Sequence, residues 1–251
     1  MALAALAQCS PADSPPEPRQ TRPRIQLMTS LPLVWGEGAS MDSILSGRSE
    51  PAPIYRYWQG RYEISAVDSL ENLAQDDPDI VILAQPRAMD PADLTDLDAW
   101  VRAGGYVIIF TDPELVWPSS LPLGDPRRPL TTGLLSPLLD HWGLELVARG
   151  GAGAGDVELQ FEDYSVVTRG VGAFERAEAT KSSDVRCELS MAGAIARCLI
   201  NKGRASLVAD ADFLNARSWP EDSRLAPHKS AASRFVDSLV RNHFNSEASK
   251  E

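Results

Sequence analysis

Three strand-like runs stand out along the chain: "RIQLM" over residues 24–28, with Arg24 and Gln26 among its apolar residues, and the continuously apolar stretches of "DIVILAQP" over 79–86 and "YVIIF" over 106–110. Unbroken runs of this kind fit strands of a parallel sheet that is covered on both faces, where neither side of the strand meets water. "YEISAVD" (62–68) has a more mixed strand composition. Between the second and third runs the period changes from strand to helix. Leu94, Leu97 and Val101 fall on one face at helical spacing, with Trp100 beside them. Asp90 is a good N-cap for that helix, Pro91 suits its first position, and Gly104-Gly105 ends it. Residues 79–110 therefore predict a βαβ unit with a right-handed crossover.

A short helix is expected over residues 51–60, after Pro51. Leu134, Leu135, Leu138, Leu139 and Trp142 predict an amphipathic helix stopped by Gly143, and "LELVA" (144–148) another strand. The proline-rich stretch 114–133 is a long loop, functional or a lid over a core edge. From 157 the segments shorten: "VELQF", "YSVVT" and "VRCEL" read as strands, and "AIARCLINKGRASLVAD" as a hairpin turning at Asn201-Lys202-Gly203. Residues 227–244 predict a closing helix that buries Phe235, Val236, Leu239, Val240 and Phe244. The organisation expected is a leader and linker over 1–23, an α/β core over 24–148, and a glycine-rich joint over 149–156. A β-rich part over 157–245, with the closing helix, completes the same domain.

The 251 residues, 43% of them hydrophobic, suffice for one α/β core. A net charge of -11 argues against a nucleic-acid partner, which would require a basic face. No apolar run approaches the length of a membrane-spanning helix. In the leader, a short Ala/Leu piece runs up to Cys9 and a Pro/Ser/Glu tract follows. That order is similar to the end of a bacterial lipoprotein signal, with Cys9 as the lipidated residue. A merely disordered N-terminus explains the same letters.

Open α/β sheets bind ligands beyond the carboxyl ends of their strands. The ends expected here are Thr29-Ser30, Gln85-Pro86-Arg87, Thr111-Asp112-Pro113 and Asp210-Ala211-Asp212. Asp112, Asp210 and Asp212 would suit a hard cation if they met at one sheet edge. The reading preferred on sequence is that they accept loop N–H bonds, so no metal is assigned. Arg87 sits at one strand end, and Arg127 and Arg128 form a pair that would grip a carboxylate or phosphate. Asp125 would otherwise close that turn on an arginine. Trp35 and Glu37 suit stacking on a sugar or peptide, although Trp35 fits equally as a lid over the core. His141 reads as a partly buried packing residue, and His228 and His243 as helix residues without partners. Cys187 and Cys198 would bridge adjacent strands in an exported protein, and two small buried thiols is the reading preferred on sequence. There is no Gly-x-Ser-x-Gly, no Walker A pattern, and no zinc-ligand spacing; no catalytic residue and no cofactor is assigned.

The block running from Asp79 through Gln85-Pro86, Asp90-Pro91 and Gly104-Gly105 to Asp112-Pro113 resembles the auxiliary domain of GldG-type, gliding-motility-associated ABC transport systems. "LLSPLLDHWGLEL" (134–146) and "KGRASLVADADFLN" (202–215) are similar to later parts of that family. The resemblance implies a Rossmann-like, class I glutamine amidotransferase-like α/β fold: a mostly parallel sheet flanked by helices, here with a β-rich hairpin segment in the C-terminal half. It also implies a non-enzymatic accessory or binding role beside an ABC permease and ATPase. The expected place is the periplasm or cell envelope, reached through a lipid anchor, with a cytoplasmic protein as the alternative. The competing class is a metal-dependent hydrolase built on the strand-end aspartates; a third is a degenerate structural module.

Overall fold

The computed structural model describes residues 22–150, 155–177 and 183–247. Cys9, most of the leader and the centre of the glycine-rich joint lie outside them.

Strand β1 (Arg24–Thr29) opens the chain, and a short capped helix, α1 (Met41–Leu45), follows a turn-rich loop. Helix α2 (Pro53–Arg61) buries Ile54, Tyr55 and Trp58 and leads into β2 (Glu63–Ala66). A single turn, α3 (Leu73–Asp76), precedes β3 (Ile80–Ala84), all five of whose residues are buried. Helix α4 (Pro91–Ala103) starts where Asp90 Oδ1 accepts the Ala92 N–H at 2.9 Å. It stops at Gly104, whose φ of 134° few side-chain-bearing residues adopt. Gly105 then passes directly beneath the Trp100 ring, where a Cβ would lie 2.4 Å from the indole. Strand β4 (Tyr106–Phe110), buried throughout, completes the βαβ unit.

The second half supplies α5 (Ser136–His141), β5 (Leu144–Val147), the β6 (Val157–Phe161) and β7 (Tyr164–Thr168) hairpin, and β8 (Ala173–Arg176). Strands β9 (Val185–Ser190), β10 (Ile195–Ile200) and β11 (Gly203–Val208) follow. After a 3-10 turn at Asp212–Leu214 come α6 (Glu221–Leu225) and α7 (Ala231–Glu247).

Seven strands form one sheet in the order β2-β1-β3-β4-β11-β10-β9. Only β10 runs against the rest, so the sheet is mostly parallel. Residues alternate between two cores. One face packs Leu27, Ile82 and Ile108 against α2, α7 and the β6–β7 hairpin. The other packs Val81, Leu83 and Ile109 against α3, α4, α5 and the β5–β8 pair. The late hairpin is thus not an appendage: β11 inserts beside β4 and extends the parallel sheet.

The structure departs from the sequence-based expectation at several places. β5 is a strand, but it leaves the main sheet and pairs with β8, which had no clear sequence signal. The closing helix starts at Ala231, because residues 227–229 take a 3-10 turn. Phe244 is 36% exposed, since its neighbour His243 takes the inward position and stacks on Tyr106 at 5.2 Å. His243 is therefore partnered, by Tyr106 and by Arg204 at 3.3 Å. His141 is half exposed and lies against Asp98 and Arg102 rather than in the core. Trp35 is 52% exposed and covers no core. Cys187 and Cys198 are bridged, not free thiols: they face each other in register on β9 and β10, which places their side chains on the same side of the sheet.

Candidate functional site

Strand order β2-β1-β3-β4 carries a change of direction between β1 and β3. The connection leaving β1 runs to one side of the sheet and that leaving β3 to the other. The loops beyond the carboxyl ends of these strands must therefore part, and a crevice opens where they do. Two adjoining cavities occupy this place, of about 520 and 470 Å³, and they share Thr29, Val67 and Asp68. The first is bounded by Ser69, by Arg87 beyond β3 and by Asp93 at the start of α4. The second is bounded by the exposed Trp35, by Met41 and Ile44 of α1, and by Arg127.

Three of the residues singled out in sequence, Trp35, Arg87 and Arg127, thus reach one crevice from three separate loops. Arg87 donates to the Pro126 carbonyl, which ties the loop after β3 to the 124–129 turn. Arg127 is held by Asp125, with Nε at 3.0 Å and Nη2 at 2.7 Å. Those bonds draw the Asp125 carboxyl down to about 2. Arg127 and Arg128 do not act as a pair, for Arg128 turns away to donate to the Leu121 carbonyl. Glu37 points to a neighbouring depression, where it accepts from the Ser120 N–H at 2.7 Å and pairs with Arg217. Asp68 and Ser69 line the crevice without having been picked out in sequence. They follow an edge strand of only four residues, too weak a signal to mark a strand end.

Asp112, Asp210 and Asp212 assemble elsewhere, beyond the ends of β4 and β11, and none of them lines the crevice. Because those strands are neighbours, their exits bring the three carboxylates together, one oxygen from each lying within 4.8 Å of the others. All three are 0–2% exposed. Each shapes a loop: Asp112 accepts the Glu114 N–H, Asp210 the Asp212 N–H and Asp212 the Val116 N–H, all at 2.8 Å. Burial raises the Asp112 carboxyl to about 7, with the nearby Asp212 adding to the shift. Burial lifts Asp212 to about 6. Asp210 is raised well above its ordinary value, by burial first and then by Asp112.

Gln85 buttresses this second site. It holds φ at 43°. Its side-chain oxygen accepts the Asp112 N–H at 2.7 Å, and its amide donates to the Asp112 carbonyl at 3.0 Å. This two-way lock between the ends of β3 and β4 had no sequence signal beyond the residue's place before a proline.

Several solved structures are similar in outline, with TM-scores below 0.5. An exo-β-1,4-mannosidase from Opitutaceae bacterium strain TAV5 is 13% identical, with a TM-score of 0.49 over 87% of this chain and 36% of that one. This chain therefore spans little more than a third of that enzyme's length. The mmIFT52 N-terminal domain is 10% identical, with a TM-score of 0.48 over 88% of this chain and 96% of that one. A β-galactosidase from Bacillus circulans sp. alkalophilus is 16% identical, with a TM-score of 0.40 over 84% and 32%. No curated protein matches. The family described as ABC-type uncharacterized transport system matches residues 22–149, from the lead-in to β1 through the crevice loops to the end of β5. The likeness read in sequence over 202–215 lies beyond that match. With just over half of its residues matched, the chain belongs to this family of auxiliary components of ABC-type transport systems.

Proposed function

We propose that the protein is a non-enzymatic accessory or binding component of an ABC-type transport system in the cell envelope, and that the β1–β3 crevice is its recognition site. The observation that carries this reading is the placement of the family match: every residue lining the two cavities falls within 22–149. The crevice also has the makings of a recognition surface, with an exposed indole, two arginines and Asp68 around a sizeable opening. Within the family, the GldG-type resemblance carried by Gly104-Gly105 and Asp112-Pro113 supports a partnership with the permease and ATPase. The amidotransferase-like reading of the fold rests on the same residues. The exit of β4 carries Asp112, with no cysteine nucleophile there, which supports a binding rather than a hydrolytic role.

The test is co-purification of the tagged full chain from detergent-solubilised membranes of its native host. The wild type is expected to bring down an ABC ATPase and permease. A Trp35→Ala, Arg87→Glu double variant, changed only at exposed rim positions, is expected to lose them. Recovery of neither component after cross-linking with the wild type would sink the proposal.

An envelope location agrees with the Cys187–Cys198 disulfide, because such bonds persist in oxidising compartments and are rare in the cytosol. Cells quenched in acid and denatured before alkylation, so that the buried Cys187 and Cys198 are reached, should leave both unmodified until a reductant is added. Immediate labelling of both would favour the cytoplasm. Cys9 as a lipid anchor remains part of this proposal, and the same cells fractionated with a Cys9→Ala variant provide its check.

A further inference from the structure

Asp112, Asp210 and Asp212 do more than hold loops. After each has accepted its loop N–H, the second oxygens, Oδ2 of Asp112, Oδ2 of Asp210 and Oδ1 of Asp212, remain buried with no hydrogen-bond donor. Asp210 is 0% exposed, so water does not solvate its bare oxygen. A buried carboxylate oxygen without a donor is costly, and three like charges at this spacing compound the cost. The Arg169 guanidinium favours the charged form of Asp212, but it is engaged with Asp156 at 3.0 Å. The Thr168 hydroxyl favours the charged form of Asp210 and the Ala211 N–H that of Asp112, but neither brings a positive charge.

We propose that these three carboxylates form a structural divalent-cation site selective for Ca²⁺, which pins the loop after β4 to the 3-10 turn after β11. Among the described residues the donor set is three carboxylate oxygens, with no histidine or thiolate, and so suits a hard ion rather than zinc or copper. Carboxylate oxygens within 4.8 Å of one another can reach either of the two common hard ions, and coordination and hydration separate them: Ca²⁺ takes about 6–8 oxygens in a flexible shell, whereas Mg²⁺ demands a near-ideal octahedron. Mg²⁺ also keeps several waters, which suits a solvent-open site better than residues 0–2% exposed. The site is independent of the transport reading, since it lies off the crevice and two of its three ligands lie outside the family match.

The experiment uses the full chain, stripped with a chelator and held near about pH 8, above the values of about 7 and about 6 to which burial raises Asp112 and Asp212. Thermal melts and titration calorimetry are run with Ca²⁺ or Mg²⁺. Ca²⁺ at a hundredfold excess over its dissociation constant is expected to raise Tm by roughly 5–10 °C, and Mg²⁺ by much less. Asp112→Asn and Asp210→Asn are expected to lose the calcium response while keeping the wild-type circular dichroism spectrum. Should one variant not fold, the other and the wild-type titration still decide. No heat and no Tm rise with Ca²⁺ in the wild type, or a rise that persists in a folded variant, overturns the site.

Discussion

In the presence of a chelator, Asp210→Asn is expected to be more stable than the wild type near about pH 8, by a margin that widens as pH rises from about 5 to about 8. The reasoning starts from burial: Asp210 is 0% exposed, and both burial and Asp112 raise its carboxyl. A carboxyl raised in the folded state binds its proton more tightly there than in the unfolded chain. Stability from such a group is fully present below the unfolded value and declines as pH rises through the folded one. For Asp112 that window runs from 3.8 to about 7, and for Asp212 from 3.8 to about 6. The wild type should therefore lose stability across this range when cations are withheld. Asparagine removes one of the three charges. It keeps an oxygen to accept the Asp212 N–H and offers an N–H where the second, donorless oxygen stood. Urea melts of both proteins at about pH 5 and about pH 8 measure the difference. A variant less stable than the wild type at the higher pH, with chelator present, would show that the carboxylates are not under mutual strain. Calcium should reverse the order, because it rescues only the protein that retains all three ligands.

The second large effect is a loss. Phe213→Ala should cost about 3–5 kcal/mol and lower Tm by roughly 10 °C. Phe213 is 0% exposed and sits in the 3-10 turn that follows β11. Its ring meets Phe110 edge-on at 5.3 Å, Phe235 at 5.8 Å and Phe161 at 6.0 Å. One side chain thus joins the sheet, the closing helix and the β6–β7 hairpin, and alanine would leave a cavity that three separate elements cannot close at once. Phe244→Ala is the control. Its ring is 36% exposed, and its removal should cost no more than about 1 kcal/mol. If the Phe213 variant unfolds within about 1 kcal/mol of the wild type, this aromatic junction does not bind the layers together.

The first half of the fold was legible because its signals are local. Asp90-Pro91 and Gly104-Gly105 mark the two ends of α4 through capping and backbone conformation alone, and the runs at 80–84 and 106–110 are apolar at every position because both faces of those strands are covered. β8 was not legible: Ala173-Phe174-Glu175-Arg176 offers two apolar residues, and its strand form depends on pairing with β5. The disulfide was legible only as one of two alternatives for Cys187 and Cys198. Whether Cys187 meets Cys198 depends on the register of β9 against β10, and a slip of one residue would turn one of them to the opposite face.

The candidate sites divide in the same way. Trp35, Arg87, Arg127 and the three aspartates could be named in sequence because they are chemically capable residues at loop positions and strand ends. Which of them share a site could not, since proximity across a sheet is set by strand order. Asp112 and Asp210 meet because β11, late in the chain, inserts next to β4 rather than at the sheet's far edge. By itself, then, the sequence determined the βαβ core, its helix ends and the residues able to do chemistry, all through interactions between near neighbours in the chain. Only the tertiary structure decided that the aspartates form one buried cluster and the rim residues a separate crevice, because long-range strand pairing and burial set both distance and charge.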